Sequence, residues 1–182
     1  NKCSSCGKCS EVCPVETTSK FDAGMKKRKA IYIPFPNATP YTYTIDKETC
    51  LYFKDGSCKK CQETCPEGAV DFTQEPVEED LEVGCMVVST GYDIYEPNDL
   101  ANYGYGKSKN VITALQLERI IDSNTQILGE LTKPSDGQVP ESLTYIQCVG
   151  SRDINKFEYC SGFCCMLTLK SAVFTRRNTV TN

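Results

Sequence analysis

Apolar positions are sparse along this chain, and four stretches carry a pattern that predicts regular structure. Val83-Gly-Cys-Met-Val-Val-Ser-Thr-Gly91 is a short, β-branched run ended by glycine, which predicts a buried strand. Val111, Ile112, Leu115, Ile120 and Ile121 suit one face of an amphipathic helix over 111–122. Ser142 to Val149 reads as a second strand and Cys160 to Phe174 as a second helix. Between Ile31 and Ile45, Pro34, Pro36 and Pro40 forbid a helix and favour extended or turn geometry. The acidic run Gln74 to Glu82 reads as a solvated connector and Lys133 to Gln138 as a turn-rich loop. No structure is expected for the polar tail, Thr175 to Asn182.

Composition says why the pattern is thin. Leu, Ile, Val and Phe make up 39 of the 182 residues, close to the ~20% at which composition begins to suggest disorder. Something beyond an apolar core is needed to hold the chain, and the cysteines supply it: there are 13, with no His and no Trp. The absence of His removes the Cys2His2 zinc finger, the Rieske centre and every His-based triad. An odd count fits a closed disulfide framework poorly, and nothing at the start looks like a secretion signal. Twelve ligands and one bystander would fit three four-cysteine metal sites. The net charge of −4 argues against a nucleic-acid binder working by phosphate neutralisation. No apolar run reaches the ~18–20 residues of a membrane span. The chain begins at Asn1 without Met, which reads as a fragment or a processed piece.

Cysteine density divides the chain into three parts: residues 1–72 hold eight, residues 73–147 only Cys85, and residues 148–165 four. The first part holds two similar knots, Cys-Gly-Lys-Cys-Ser-Glu-Val-Cys-Pro at 6–14 and Cys-Lys-Lys-Cys-Gln-Glu-Thr-Cys-Pro at 58–66, an internal repeat that suggests two equivalent half-modules. Cys3, Cys6, Cys9 and Cys13, followed by Pro14, have the C-x2-C-x2-C-x3-C spacing of a bacterial ferredoxin [4Fe–4S] loop. In proteins with two clusters the fourth cysteine of such a run binds the other cluster. The second knot, Cys50, Cys58, Cys61 and Cys65 followed by Pro66, stretches the first gap, and Asp55-Gly56 supplies a turn within the excursion. The crossed rule assigns Cys3, Cys6, Cys9 and Cys65 to one cluster and Cys13, Cys50, Cys58 and Cys61 to the other, a short wire for single electrons. The competing reading is a zinc-stapled structural module. Lys8, Lys59 and Lys60 stand among the ligands, either offsetting cluster charge or simply solvated.

Cys148, Cys160, Cys164 and Cys165 form a third constellation, C-x11-C-x3-CC. On one helix Cys160 and Cys164 share a face, while Cys165 is rotated by about 100°. Spacing leaves three readings open: a metal cluster at 148–165, a dithiol pair, or buried structural cysteines. Cys85, inside the predicted strand, reads as a small core hydrophobe.

The run Phe21-Asp-Ala-Gly-Met-Lys-Lys-Arg-Lys-Ala-Ile-Tyr-Ile-Pro-Phe-Pro36 resembles the A subunit of heterodisulfide reductase from methanogens and related anaerobes. So do Glu82-Val-Gly-Cys-Met-Val-Val-Ser-Thr-Gly-Tyr-Asp93, Tyr103-Gly-Tyr-Gly106, Ile146-Gln-Cys-Val-Gly-Ser-Arg-Asp153 and Cys164-Cys165-Met166. The resemblance runs to about Phe174 and implies an internal portion of such a subunit. It implies an α+β chain, a two-[4Fe–4S] ferredoxin-like domain (1–75) joined to part of a thioredoxin-reductase-like FAD domain (76–182). It implies that Cys148, Cys160, Cys164 and Cys165 bind a third [4Fe–4S] cluster, and that Thr90 and Gly91 lie where backbone approaches FAD. A G-x-G-x-x-G opening is missing. Gly104-Tyr-Gly106 is followed by Lys-Ser-Lys and is not preceded by a strand, so it cannot serve.

The function implied is electron transfer between FAD, with electron bifurcation, and ferredoxin-type partners, within a cytoplasmic, anaerobic oxidoreductase complex. The partners implied are heterodisulfide reductase B- and C-type subunits, a hydrogenase or a formate dehydrogenase, and ferredoxin. The alternative within the class is the homologous subunit of another anaerobic reductase, such as benzoyl-CoA reductase. No general acid, base or nucleophile is expected on this chain.

Overall fold

The structure, a computed structural model, describes residues 2–91, 93–95, 101–122 and 131–179. The chain packs as two compact units, Asn1–Gly91 and Tyr92–Asn182.

The first unit is made of very short elements. Strand β1 (Glu16–Thr18) pairs antiparallel with β2 (Lys27–Lys29), with Glu16 opposite Lys29 and Thr18 opposite Lys27. Strand β3 (Ile31–Tyr32) pairs antiparallel with β4 (Thr44–Ile45), with Ile31 opposite Ile45 and Tyr32 opposite Thr44. The proline-rich segment between them is therefore extended and turned, as its composition predicts. Helices α1 (Lys8–Glu11), α2 (Leu51–Asp55) and α3 (Lys60–Thr64) are one turn or little more, and α1 packs on α3 and on β3. Helices this short do not persist on their own, so their support is tertiary.

Part of that support is apolar. Ala30, Ile31, Ala38, Phe72 and Cys9 are buried. The Phe72 ring stacks on Tyr52 at 3.9 Å between centroids and meets Phe53 edge-on at 5.8 Å. Part of it is ionic: Arg28 joins Asp46 at 2.6 Å and lies 3.9 Å over the Tyr32 ring.

Two expectations fail after residue 72. Residues 83–91 form no strand, and Val83, Met86, Val87 and Val88 are 61 to 86% exposed. Cys85 is exposed as well, so it is not a core residue. Residues 142–149 likewise form no strand. The reason is common to both: a strand is stable only against a neighbour that completes its hydrogen bonds, and among the described residues none lies alongside either run. The acidic connector 74–82 is exposed, in keeping with its charge.

In the second unit α4 (Ala114–Ile121) falls inside the expected helix. Thr113 and Gln116 close a reciprocal cap, the Gln116 N–H donating to Thr113 Oγ1 at 3.2 Å and the Thr113 N–H to Gln116 Oε1 at 2.9 Å. Its buried face is Leu117, Ile120 and Ile121, with Leu131 also buried. Helix α5 (Cys164–Thr179) starts four residues later than expected and continues past Phe174 into the supposed unstructured tail. Ser171 and Thr175 do not interrupt it. Both are buried and return their hydroxyls to the helix backbone, at Leu167 O (2.9 Å) and Ala172 O (3.1 Å), so neither group is left unsatisfied. Lys170 reaches Glu118 on α4 at 3.2 Å. Met166, Leu169 and Val173, spaced as one helical stripe, remain open.

Candidate metal centres

The first knot begins with a loop that left-handed residues keep tight. Ser5 has φ 57° and Gly7 φ 85°, and such reversals turn successive N–H groups to one side. The Ser5 N–H donates to Cys3 Sγ at 3.4 Å. A backbone hydrogen bond from Tyr43, beside β4, reaches Cys3 too and is the main reason its thiol lies below its ordinary pKa, with Ser5 adding to it against the opposing effect of burial. Cys9 lies in α1. Cys65 arrives from the second knot, at the end of α3, and accepts the Ala69 N–H at 3.3 Å. Cys3, Cys6, Cys9 and Cys65 line one cavity of about 430 Å³, with Tyr43, Lys47 and Phe53 among its walls.

Cys13, Cys50, Cys58 and Cys61 line a second, smaller cavity closed by Ala30, Ile31, Leu51 and Lys60. Cys50 caps α2, Cys61 sits in α3, and the Asp55 carboxylate holds the turn between by accepting the Ser57 N–H at 2.8 Å. Lys59 lies over the Tyr52 ring at 5.6 Å rather than among the sulfurs.

The two sets are thus gathered across the knots, Cys13 with the second and Cys65 with the first. They are also neighbours. Burial pushes the Cys9 thiol up to about 11, and Cys3 and Cys61 add to the effect. Burial likewise pushes Cys61 up to about 11, with Cys50, Cys58 and Cys13 adding. Several half-buried sulfurs in mutual reach cannot all be thiolates unless a cation neutralises them. Four sulfurs and no other donor type suit iron–sulfur chemistry.

The third set is assembled differently. Cys148 has φ 56°, a left-handed conformation unusual for a residue with a side chain. The turn after it is covered by Tyr95: a Cβ on Gly150 would lie 2.8 Å from that ring, so only glycine fits. Cys160 is in the loop before α5, not on the helix, and accepts the Gly162 N–H at 3.4 Å. Cys164 opens α5 and accepts the Ser161 hydroxyl at 3.4 Å, the main reason its thiol lies below the ordinary value. Cys165 is raised, first by Cys164 and to a lesser degree by Cys148 and Cys160. The other three cysteines are therefore all within electrostatic reach of Cys165. Moving Cys160 off the helix removes the geometric difficulty at Cys165, because the helix supplies only the adjacent pair and the loop supplies the rest.

The flavin expectation has no comparable support. Thr90 and Gly91 are exposed, and nothing lies within 4 Å of where a Gly91 Cβ would be. Among the described residues no cradle stands there for a backbone approach to FAD.

Tyr43, Ser5, Ala69, Ser161 and Tyr95 are the residues around the sulfurs that pattern reading missed. Most act through a main-chain N–H or by covering a glycine, which leaves no mark in residue spacing.

A 4Fe–4S dicluster domain model matches residues 2–69, so the first unit carries a dicluster, ferredoxin-like iron–sulfur domain. Nearly the whole chain is similar to the A subunits of heterodisulfide reductases. It is 49% identical over 93% of its length to the A subunit of the H(2):CoB-CoM heterodisulfide,ferredoxin reductase of Methanothermobacter marburgensis. It is 47% identical over 97% to one of the iron-sulfur A subunits of CoB–CoM heterodisulfide reductase in Methanopyrus kandleri. The iron-sulfur A subunit of the CoB–CoM heterodisulfide reductase of Methanocaldococcus jannaschii is 42% identical over 98%. The chain spans about a quarter of the length of these curated relatives. The resemblance read in its motifs extends to these A subunits over nearly the whole chain. Among the described residues no helix is long and apolar enough to cross a membrane.

Proposed function

We propose that this chain carries single electrons through [4Fe–4S] clusters as part of a heterodisulfide reductase A-type subunit, with Cys3, Cys6, Cys9 and Cys65 holding one cluster and Cys13, Cys50, Cys58 and Cys61 a second. The observation that supports the reading is that Cys65 lines one cavity with Cys3, Cys6 and Cys9 while Cys13 lines another with Cys50, Cys58 and Cys61. Such clusters, when bound, supply one-electron storage at low potential. The chain's own contribution is positional: α1 and α3 pack together and keep the two sets adjacent. The N–H groups of Ser5 and Ala69 are directed at sulfur and favour the more negatively charged state.

Cys148, Cys160, Cys164 and Cys165 are proposed to hold a third cluster, supported by the mutual influence of their thiols and the N–H and O–H donors beside them. A dithiol reading is disfavoured because adjacent cysteines close only a strained ring. FAD binding, bifurcation and contact with ferredoxin, hydrogenase or B- and C-type subunits are proposed for a longer protein in which the 83–91 run is covered.

The test is iron and acid-labile sulfide per chain, on protein purified anaerobically without reconstitution. Roughly twelve of each is expected from three cubanes; roughly eight confines the clusters to the first unit, and a colourless zinc protein overturns the reading.

A further inference from the structure

Between Cys160 and Cys164 the chain has room only for Ser161, Gly162 and Phe163, and the first two of these direct a donor at sulfur. Gly162 adopts φ 69° and donates its N–H to Cys160 Sγ at 3.4 Å. The Ser161 hydroxyl donates to Cys164 Sγ, also at 3.4 Å. The Leu167 N–H bonds back to Phe163 O at 3.2 Å, so the turn that carries Ser161 runs directly into α5, and the accepting sulfur stands on the first residue of that helix. Around the first set the donors at Ser5 and Ala69 are main-chain N–H groups, which a substitution leaves in place. The Ser161 bond comes from a side chain and can be removed by itself.

We propose that Ser161 is a positioning residue that acts through Cys164 and raises the reduction potential of the third cluster. The consequence follows from charge. Reduction adds one electron and makes the ligand sulfurs more negative, so a hydroxyl donating to one of them binds the reduced state more strongly than the oxidised one. The Gly162 N–H acts in the same direction on Cys160, and it stays in place when Ser161 is changed. Ser161 is itself exposed, so the comparison is between a hydroxyl fixed by its turn and the solvent that replaces it. The inference rests on the third-cluster reading above; iron and the wild-type signals measured in the same preparation separate failure of that reading from failure of this one.

The experiment compares Ser161→Ala and Ser161→Thr with wild type in the full chain, purified anaerobically. It reads iron content, redox titration followed by electron paramagnetic resonance, and proton couplings to the reduced cluster before and after transfer to D2O. The signal of the third cluster is the one lost in Cys148→Ser. With Ser161→Ala that signal is expected to titrate at lower potential and to lose an exchangeable-proton coupling, while iron content and the signals of the first unit stay at wild type. Ser161→Thr, which keeps the hydroxyl, is expected to match wild type in both. If Ser161→Ala does not retain the cluster, Ser161→Val is compared with Ser161→Thr, since those side chains share a shape and differ in the hydroxyl. An unchanged potential in a fully loaded Ala or Val variant would overturn the proposal, as would an equal fall in Ser161→Thr. Wild-type iron of roughly eight per chain, with no signal lost in Cys148→Ser, would overturn the third-cluster reading and this proposal with it.

Discussion

The two units use cysteine in contrasting ways. In Asn1–Gly91 the eight cysteines of the two knots sit in or beside elements of two to five residues, most of them half-buried. In Tyr92–Asn182 longer helices exist independently of the cysteines, with a capped α4 burying Leu117, Ile120 and Ile121. The third set is hung on the start of α5 and on the turn after Cys148. The difference teaches where the folding energy resides. A unit whose elements are too short to stand alone depends on what its ligands bind, whereas a unit with an apolar helix face can form around a site and receive it afterwards.

The sharpest way to break that comparison is to remove one ligand from each set. Cys65→Ser is expected to lose about four irons, the number in one cubane, and to abolish the same signal that Cys3→Ser abolishes. Cys13→Ser should instead match Cys50→Ser. If Cys65→Ser and Cys50→Ser removed the same signal, the crossing would be wrong. Loss of either cluster should also collapse the protease resistance of residues 2–91. Cys148→Ser should cost a similar share of iron while leaving the first unit's signals and the helicity of α4 intact. Unfolding of the second unit in that variant would erase the distinction between the two.

How far the chain could be read in advance follows the same division. The two knots were legible because gaps of two and three residues constrain the backbone locally, whereas setting Cys65 beside Cys3, Cys6 and Cys9 is a distant contact that came only from the rule for two-cluster proteins. The helix of 111–122 was legible from its period, although Leu117, one of its buried residues, escaped the expected apolar set. The strands at 83–91 and 142–149 were misread because apolar, β-branched composition describes what a strand would bury and is silent on whether a neighbour exists. The third set stayed open because eleven residues between Cys148 and Cys160 place no limit on how the loop returns. Whether Cys160 lay on the helix or before it decided the geometry at Cys165.

A smaller effect sharpens the claim that the second unit stands on its helices. Thr113→Ala removes the hydroxyl that accepts the Gln116 N–H and breaks the reciprocal cap. It should cost about 1 kcal/mol of stability, read as a lower midpoint in chemical denaturation followed by helix signal. Iron content should stay at the wild-type value. Loss of the third cluster in Thr113→Ala would mean that α4 supports the cysteine site more directly than its position implies.

The smallest effect tests the converse, whether the first unit has any support apart from its ligands. Asp46 is its best non-cysteine anchor. Its carboxylate meets Arg28 at 2.6 Å and accepts the Glu48 N–H at 3.0 Å, while its carbonyl accepts the Cys50 N–H at 3.0 Å. Arg28 is the main reason this carboxyl sits below its ordinary pKa, with the Glu48 N–H contributing. A depressed folded pKa means the unfolded chain takes up the proton first as pH falls. The stabilisation is therefore fully present above the unfolded value, about 4, and is lost as pH falls through the lower folded one. Solvent screening holds it to about 1 kcal/mol. Asp46→Asn should lower the anaerobic denaturation midpoint by a constant amount between pH 7 and 5, and the gap to wild type should close only below about 4. A gap that closes already near neutral pH would assign the stability to a different group. No gap at any pH would leave the sulfurs and what they bind as the support that matters in this half of the molecule.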